Sequence, residues 1–304
     1  MASPTAEPRI LLPGVAEAIR TTERLIARSV SSLSAQDSGC FGPHSISWKV
    51  FSHASYGASG VAAVLMQALH PVAMAGVDQH SSFRNDAWRR AHMTADYVFT
   101  ITFSSRAVAA EAAEKVRRIH RHVGGIDPFT GRAYRADDPD LLLWVHAVHT
   151  EYALLGYEKF VRRLTPEEAD RFVAEQLAAA ELVGLDRAAV PATREQLRSW
   201  LASVSGLTVT PPAAEFARML IKARMPLTMR PFWALHVAGA ASLLPAEVCR
   251  QYDLPRRLPR GRAAQLMVAA AFWSINLGFL LFRPVRQARA KMRRVRRQQA
   301  LAGS

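Results

Sequence analysis

Asp138-Pro-Asp-Leu-Leu-Leu-Trp-Val-His-Ala-Val-His149 reads as the opening of a long buried helix. Asp138 is a capping residue, and Pro139 suits the first helical position because the N–H it lacks has no intrahelical partner there. Asp140 sets a negative charge against the positive end of the helix dipole. The six residues from Leu141 to His146 hold five apolar side chains and one imidazole. A start this apolar belongs inside a core, and it predicts a helix from Asp140 to Leu164.

The same signals recur outward in both directions. Thr165-Pro-Glu-Glu168 carries a capping box, with Thr165 as N-cap and Glu168 at the third helical position, and predicts a helix to Leu182 that ends near Gly184. Thr193-Arg-Glu195 opens another to Ser205, and helices near 213–223 and 231–241 follow. Upstream, Ser47 to Leu69 predicts one helix stopped by the His70-Pro71 step. Its centre, Tyr56-Gly-Ala-Ser-Gly-Val-Ala-Ala63, is rich in small residues, which admit either a neighbouring helix or a flat ligand, tight helix packing being the commoner use. Asn85–Phe103, with Asp86 supporting its start, and Arg106–His122 are further helices; Gly124–Pro139 is dense in turn formers and reads as a loop. Strand-type alternation is absent, so the expected fold is an all-α, single multi-helix domain without a sheet.

Half of the 304 residues are apolar, enough for a large core. The formal charge of +14 is concentrated: eight Lys or Arg and no acid lie between Arg283 and Arg297, leaving +6 once those eight are set aside. That run divides the chain into an N-terminal extension (1–44), a helical domain (45–282) and a basic tail (283–304). The tail reads as a solvated helix end or as a peripheral contact for an anionic membrane, with nucleic acid the weaker choice. Residues 263–282 are twenty positions without a charge, long enough to span a bilayer, but Gln265, Ser274 and Asn276 dilute the stretch and Trp273 sits mid-segment; a helix buried in a large domain fits better. Two cysteines, Cys40 and Cys249, build neither a disulfide framework nor a CxxC zinc site, and the N-terminus lacks an unbroken apolar run. The expectation is a cytoplasmic protein.

Chemistry is sought among ten histidines. A histidine at position 146, in the most apolar stretch, is buried and must satisfy two ring nitrogens, through a core partner or through a metal. His149 lies three residues on, near the same face, but no H-E-x-x-H carboxylate accompanies the pair, so a zinc hydrolase is not supported. Arg90 and Thr94 share a helical face; the arginine suits a carboxylate and the threonine a hydrogen bond to a small ligand. Met93 beside them reads as a core residue. His120 and His122, in a last helical turn, complement the helix dipole. No Gly-rich nucleotide loop and no G-x-S-x-G elbow is present. The residues alone define a helical protein with a candidate metal or haem pocket.

Taken in order, Ser47-Trp48 to Gly60, Leu65-Met-Gln-Ala-Leu-His-Pro71, Arg90-Ala-His-Met-Thr94, Phe103, His120, Gly124 to Tyr134, Ala136-Asp-Asp-Pro-Asp140 and Trp144-Val-His-Ala147 resemble the MpaB-like oxygenase family, which includes the latex-clearing rubber oxygenases. The resemblance covers residues 45–160 and continues loosely to about 285. It implies a globin-like helical core, haem b as cofactor, His146 as axial iron ligand, and Arg90 and Thr94 in the pocket, where they are the candidates for catalysis; His149, by its place beside His146, is the further candidate for cofactor contact. It further implies dioxygen and an apolar small molecule as reactants. Rubber-cleaving members carry a lysine one residue before the threonine, where this chain has Met93, and no acid matches their catalytic glutamate. Both departures argue against polyisoprene as substrate. The expected function is a haem-dependent oxygenase; a haem carrier or sensor without turnover is the alternative.

Overall fold

The computed structural model describes residues 27–281 apart from 35, 43, 82, 85, 86, 223–226 and 255–261, together with 290, 291, 293, 294, 297 and 301. After a helical turn at 27–31, the elements run in chain order as α1 (Ile46–Phe51), α2 (Tyr56–Gln67), α3 (Pro71–His80), α4 (Ala87–Phe103), α5 (Arg106–His120), β1 (Gly124–Ile126), β2 (Ala133–Arg135) and α6 (Pro139–Phe160). Then come α7 (Pro166–Val183), α8 (Arg194–Ser203), α9 (Pro211–Ile221), α10 (Arg230–Leu243), α11 (Ala246–Gln251) and α12 (Arg262–Leu281). The fold is all-α and a single domain.

Helix α6 is the axis. α2 lies along it most extensively, α10 covers the far side of α2, and α12 rests on α10 and α6. α7 and α8 close the opposite flank of α6, while α4 packs on α5, α1 and α9. The caps expected from sequence form: Asp138 accepts from the Asp140 N–H, Thr165 and Glu168 complete a capping box, and Thr193 accepts from Gln196. Gly184 ends α7 in a left-handed conformation, φ 102°, which glycine adopts without a Cβ penalty.

α2 is held at close range by small residues. A Cβ added at Gly156 of α6 would stand 1.9 Å from Ser59 Oγ, and one at Gly239 of α10 would stand 2.8 Å from Ala58 Cβ. A Cβ at Gly57 would run into the His236 ring at 2.3 Å. Most of the Tyr56–Ala63 stretch is therefore spent on helix packing. Gly60 is the exception, since a Cβ there would meet nothing within 4 Å.

Three expectations need correction, and the expected stop at His70-Pro71, which holds, gains a second role. The helix expected over Ser47–Leu69 breaks at 52–55, where the His53 ring accepts from the Ser55 N–H and meets its hydroxyl, a local bond that competes with the helix ladder. The His70-Pro71 step stops one helix and starts the next, with the His70 ring accepting from the Ala73 N–H to cap α3. The loop before α6 contains a two-stranded antiparallel ladder pairing Gly125 with Tyr134, closed by Asp127, which accepts from the N–H groups of Phe129 and Thr130. Last, α12 is not wholly buried: Val268, Phe272 and Ile275 face the core and the opposite face is exposed. The expected support of α4 by Asp86, residues 1–26 of the extension and much of the basic tail lie outside the described residues.

Candidate functional site

Helix α6 fixes His146 between two anchors. The Trp144 indole donates to the Gln67 carbonyl at 3.0 Å, and the Gln67 amide donates to the Val145 carbonyl at 2.8 Å. These bonds tie the end of α2 to α6 beside the histidine. Leu142, Leu143, Trp144, Ala147 and Val148 are buried around it.

His146 lies so deep in the protein that desolvation, followed by the neighbouring His149, pushes its imidazole down to about 3. It is neutral at pH 7. Yet it keeps accessible surface, and among the described residues neither ring nitrogen has a hydrogen-bond partner. Neither nitrogen is among the sealed, unpartnered polar atoms. The ring is thus surrounded by protein on most sides and open on the remainder.

The other deep histidines differ. His149 Nε2 meets the Tyr56 hydroxyl at 2.8 Å, and its ring stacks on Phe51 with centroids 5.6 Å apart. His236 Nδ1 bonds the Phe232 carbonyl at 2.8 Å, and His53 Nδ1 bonds Ser55. Burial pushes His149 and His53 down to about 4. His149, expected to touch a cofactor, thus has the setting of a positioning residue, with one nitrogen already engaged. His146 alone among the four has both nitrogens unengaged.

On α4, Arg90 Nη1 donates to Thr94 Oγ1 at 2.6 Å, and that hydroxyl in turn donates to the Arg90 carbonyl at 3.2 Å. Burial lowers the Arg90 pKa, though a guanidinium keeps its charge at pH 7. Among the described residues no carboxylate pairs with it. His120, at the end of α5, has a sealed and unpartnered Nδ1; burial and then the Arg90 charge push its pKa down, so the two lie within electrostatic reach. Sequence reasoning treated His120 as a dipole complement and missed this proximity. Met93, read as a core residue, is 57% exposed.

α4 and α6 make little direct contact and are bridged by α1. Tyr56 forms the link: its ring is edge-on to Phe99 of α4 at 5.9 Å, and its hydroxyl holds His149 of α6. Gly60, one turn beyond Tyr56 on the same face of α2, borders open space. Tyr56 and Gly60 were not singled out from sequence. The usable signal was an aromatic and a glycine four apart inside a small-residue helix. Arg90 contacts Thr94, and His146 neighbours His149, but no hydrogen bond or ring contact joins the two pairs.

Among the described residues no three His, Cys, Asp or Glu side chains lie close enough to hold a bare metal ion. A metal at His146 therefore needs a ligand that brings its own donors.

These features define a helical domain with one neutral, partly accessible imidazole on α6 and, on α4, one guanidinium that pairs with no carboxylate among the described residues. Residues 48–275 match the family described as ER-bound oxygenase mpaB/B'/rubber oxygenase, catalytic domain. The chain belongs to that family and carries an oxygenase-type catalytic domain. The match runs from Trp48 in α1 to Ile275 in α12 and so includes the helices that carry Arg90, Thr94, His146 and His149. Neither the curated proteins nor the solved structures contain a significant match.

Proposed function

We propose that this protein is a haem-dependent oxygenase acting on an apolar small molecule, with His146 holding the iron. The observation that carries the reading is the state of His146: deep, uncharged, partly accessible and without a hydrogen-bond partner for either ring nitrogen among the described residues. Iron takes the neutral imidazole nitrogen as ligand, so a ring that stays unprotonated far below pH 7 is ready for it.

The surrounding residues suit a flat apolar disc with two carboxylates. Gly60 leaves room where a side chain would stand. Arg90, oriented by Thr94 and without an acid of its own among the described residues, suits a propionate. When bound, haem b supplies a redox-active iron for dioxygen chemistry. The chain positions and insulates. Tyr56 keeps His149 in place, and burial holds both the phenol and the imidazole neutral at pH 7. Phe51, Phe99 and Tyr56 pack as an apolar cluster around His149, a setting that suits an apolar ligand beside it.

Met93 favours a second reading. A thioether moves no proton, and this one faces outward, so a haem carrier or sensor without turnover fits the same pocket. Two measurements decide. Protein reconstituted with haem should show a Soret band that His146→Ala shifts or abolishes; failure to take up haem overturns the cofactor assignment. Oxygen consumption that depends on an added apolar alkene supports the oxygenase. A haem-loaded protein that consumes none across a panel of such compounds is a carrier or sensor.

A further inference from the structure

Helix α12 has an outer face that the domain leaves uncovered. Leu266 is 71% exposed, Met267 74% and Trp273 53%. With the exposed Ala270 and Ser274 they recur at the helical period, opposite Val268, Phe272 and Ile275. The stretch between Arg262 and Arg283 carries no charge. Two of its polar groups are turned inward or back on the helix: Ser274 donates to the Ala270 carbonyl at 2.9 Å, while Asn276 donates to the Phe272 carbonyl and accepts from the Ala54 N–H. Single exposed apolar residues are ordinary; a stripe of three large ones on one helix is a contact surface.

The sequence beside it indicates the partner. The eight cations from Arg283 to Arg297 follow the helix with no acid among them. Of those described, Arg293, Arg294 and Arg297 are exposed, and Lys291 donates to the Ser31 carbonyl at 2.5 Å, which ties this part of the chain to the folded body. An uncharged apolar stripe followed by a basic run combines the two signals that hold a helix in the plane of an anionic bilayer surface. A second copy is the poorer occupant, since two basic runs would repel. Nucleic acid has no use for Leu266 and Met267.

We propose that the outer face of α12 and the basic run after it dock this protein peripherally on anionic membrane. Leu266, Met267 and Trp273 enter the boundary between headgroups and acyl chains, and the arginines and lysines meet lipid phosphates. Docking there places the domain beside a reservoir of apolar molecules.

The test is flotation of the full chain with vesicles of phosphatidylcholine alone and with about a third phosphatidylserine. Partition should be at least ~10-fold stronger onto the anionic vesicles and fall steeply with salt. The double substitution Leu266→Asp/Met267→Asp should weaken it by at least ~10-fold; both sites are exposed, so an unchanged melting curve shows that the fold is kept. A vesicle-induced blue shift of tryptophan emission should be present in the wild type and lost in Trp273→Phe. The proposal is overturned if the wild type does not float, if neutral and anionic vesicles bind alike, or if the aspartate variant binds like the wild type. It is equally overturned if the chain instead forms dimers that the aspartate pair dissolves, or if it binds an oligonucleotide but no vesicle.

Discussion

His146 and His149 stand one helical turn apart on α6, and alanine at each should have opposite consequences. In the haem-free protein, His149→Ala strips the Tyr56 hydroxyl of its 2.8 Å partner and removes the ring stacked on Phe51. A buried hydroxyl left unsatisfied costs about 1–3 kcal/mol. Loss of a stacked ring adds about 0.5–1.5 kcal/mol. The expected destabilisation is about 2–4 kcal/mol. His146→Ala removes a ring whose nitrogens have no hydrogen-bond partner among the described residues and which keeps accessible surface, so no hydrogen bond among them is lost and no sealed void is created. Its expected cost is about 1 kcal/mol or less, because relieving two unpaired nitrogens offsets part of the lost contact. Urea unfolding of the two haem-free variants, followed by circular dichroism, measures both. Haem titration at the Soret band should then reverse the ranking. His146→Ala should lose about 100-fold in affinity, about 2.7 kcal/mol, while His149→Ala stays within about tenfold. Added imidazole should restore part of the His146→Ala spectrum. If His146→Ala unfolds as easily as His149→Ala and its Soret band is unchanged, His146 is a packing residue and the iron-ligand reasoning fails.

Acid should weaken the fold earlier than carboxylates alone require. His146, His149 and His53 are pushed down to about 3, 4 and 4, so between pH 6.5 and 4 the unfolded chain binds protons that the folded chain refuses. Stability then falls as pH drops, by up to about 1.4 kcal/mol per pH unit for each such histidine. A melting temperature that stays flat from pH 7 to 5 would contradict this. Gly60→Leu should block haem uptake and leave the melting temperature nearly unchanged, whereas Gly156→Ala, whose Cβ would stand 1.9 Å from Ser59 Oγ, should cost about 1–3 kcal/mol. A double-mutant cycle with Ser59→Gly should recover much of that loss, and absence of coupling would mean that α2 and α6 are farther apart. Arg90→Gln should lower haem affinity about tenfold while sparing the stability of the haem-free protein, measured by the same titration and unfolding curves, since no ion pair among the described residues is broken.

Local chemistry was readable from the chain. Asp138, Thr165, Thr193 and Gly184 each carry their information within a few residues; the first three start helices and Gly184 ends one, as expected. The break after α1 was not readable, because Ser52-His-Ala-Ser55 has ordinary helical neighbours and the deciding event is a ring turning back on Ser55. The ladder at Gly124–Arg135 escaped because three-residue strands show no alternation; Asp127, which organises the turn, looks like any loop acid. The candidate site was legible for His146 because the apolarity of its own segment signals burial. It was illegible for Tyr56, whose role depends on a contact 93 residues away in sequence. The small-residue stretch could serve a helix or a ligand, and only the structure divides it: Gly57, Ala58 and Ser59 meet neighbouring helices while Gly60 does not.

That division bears on why the chain tolerates His146 and Arg90 at all. Each is a polar group taken from water without full compensation among the described residues, and each such loss costs about as much as a missing hydrogen bond. A leucine at 146 or a methionine at 90 would pack without that cost. Chains break local rules of this kind where binding later supplies what folding withheld. The two groups are complementary in what they lack: the imidazole needs an electron-pair acceptor, and the guanidinium needs an anion. One ligand carrying both an acidic metal centre and peripheral carboxylates satisfies the two at once, whereas water or a simple anion satisfies only one. A crystalline complex in which His146 and Arg90 engage different molecules would therefore weigh against haem more heavily than a low affinity would.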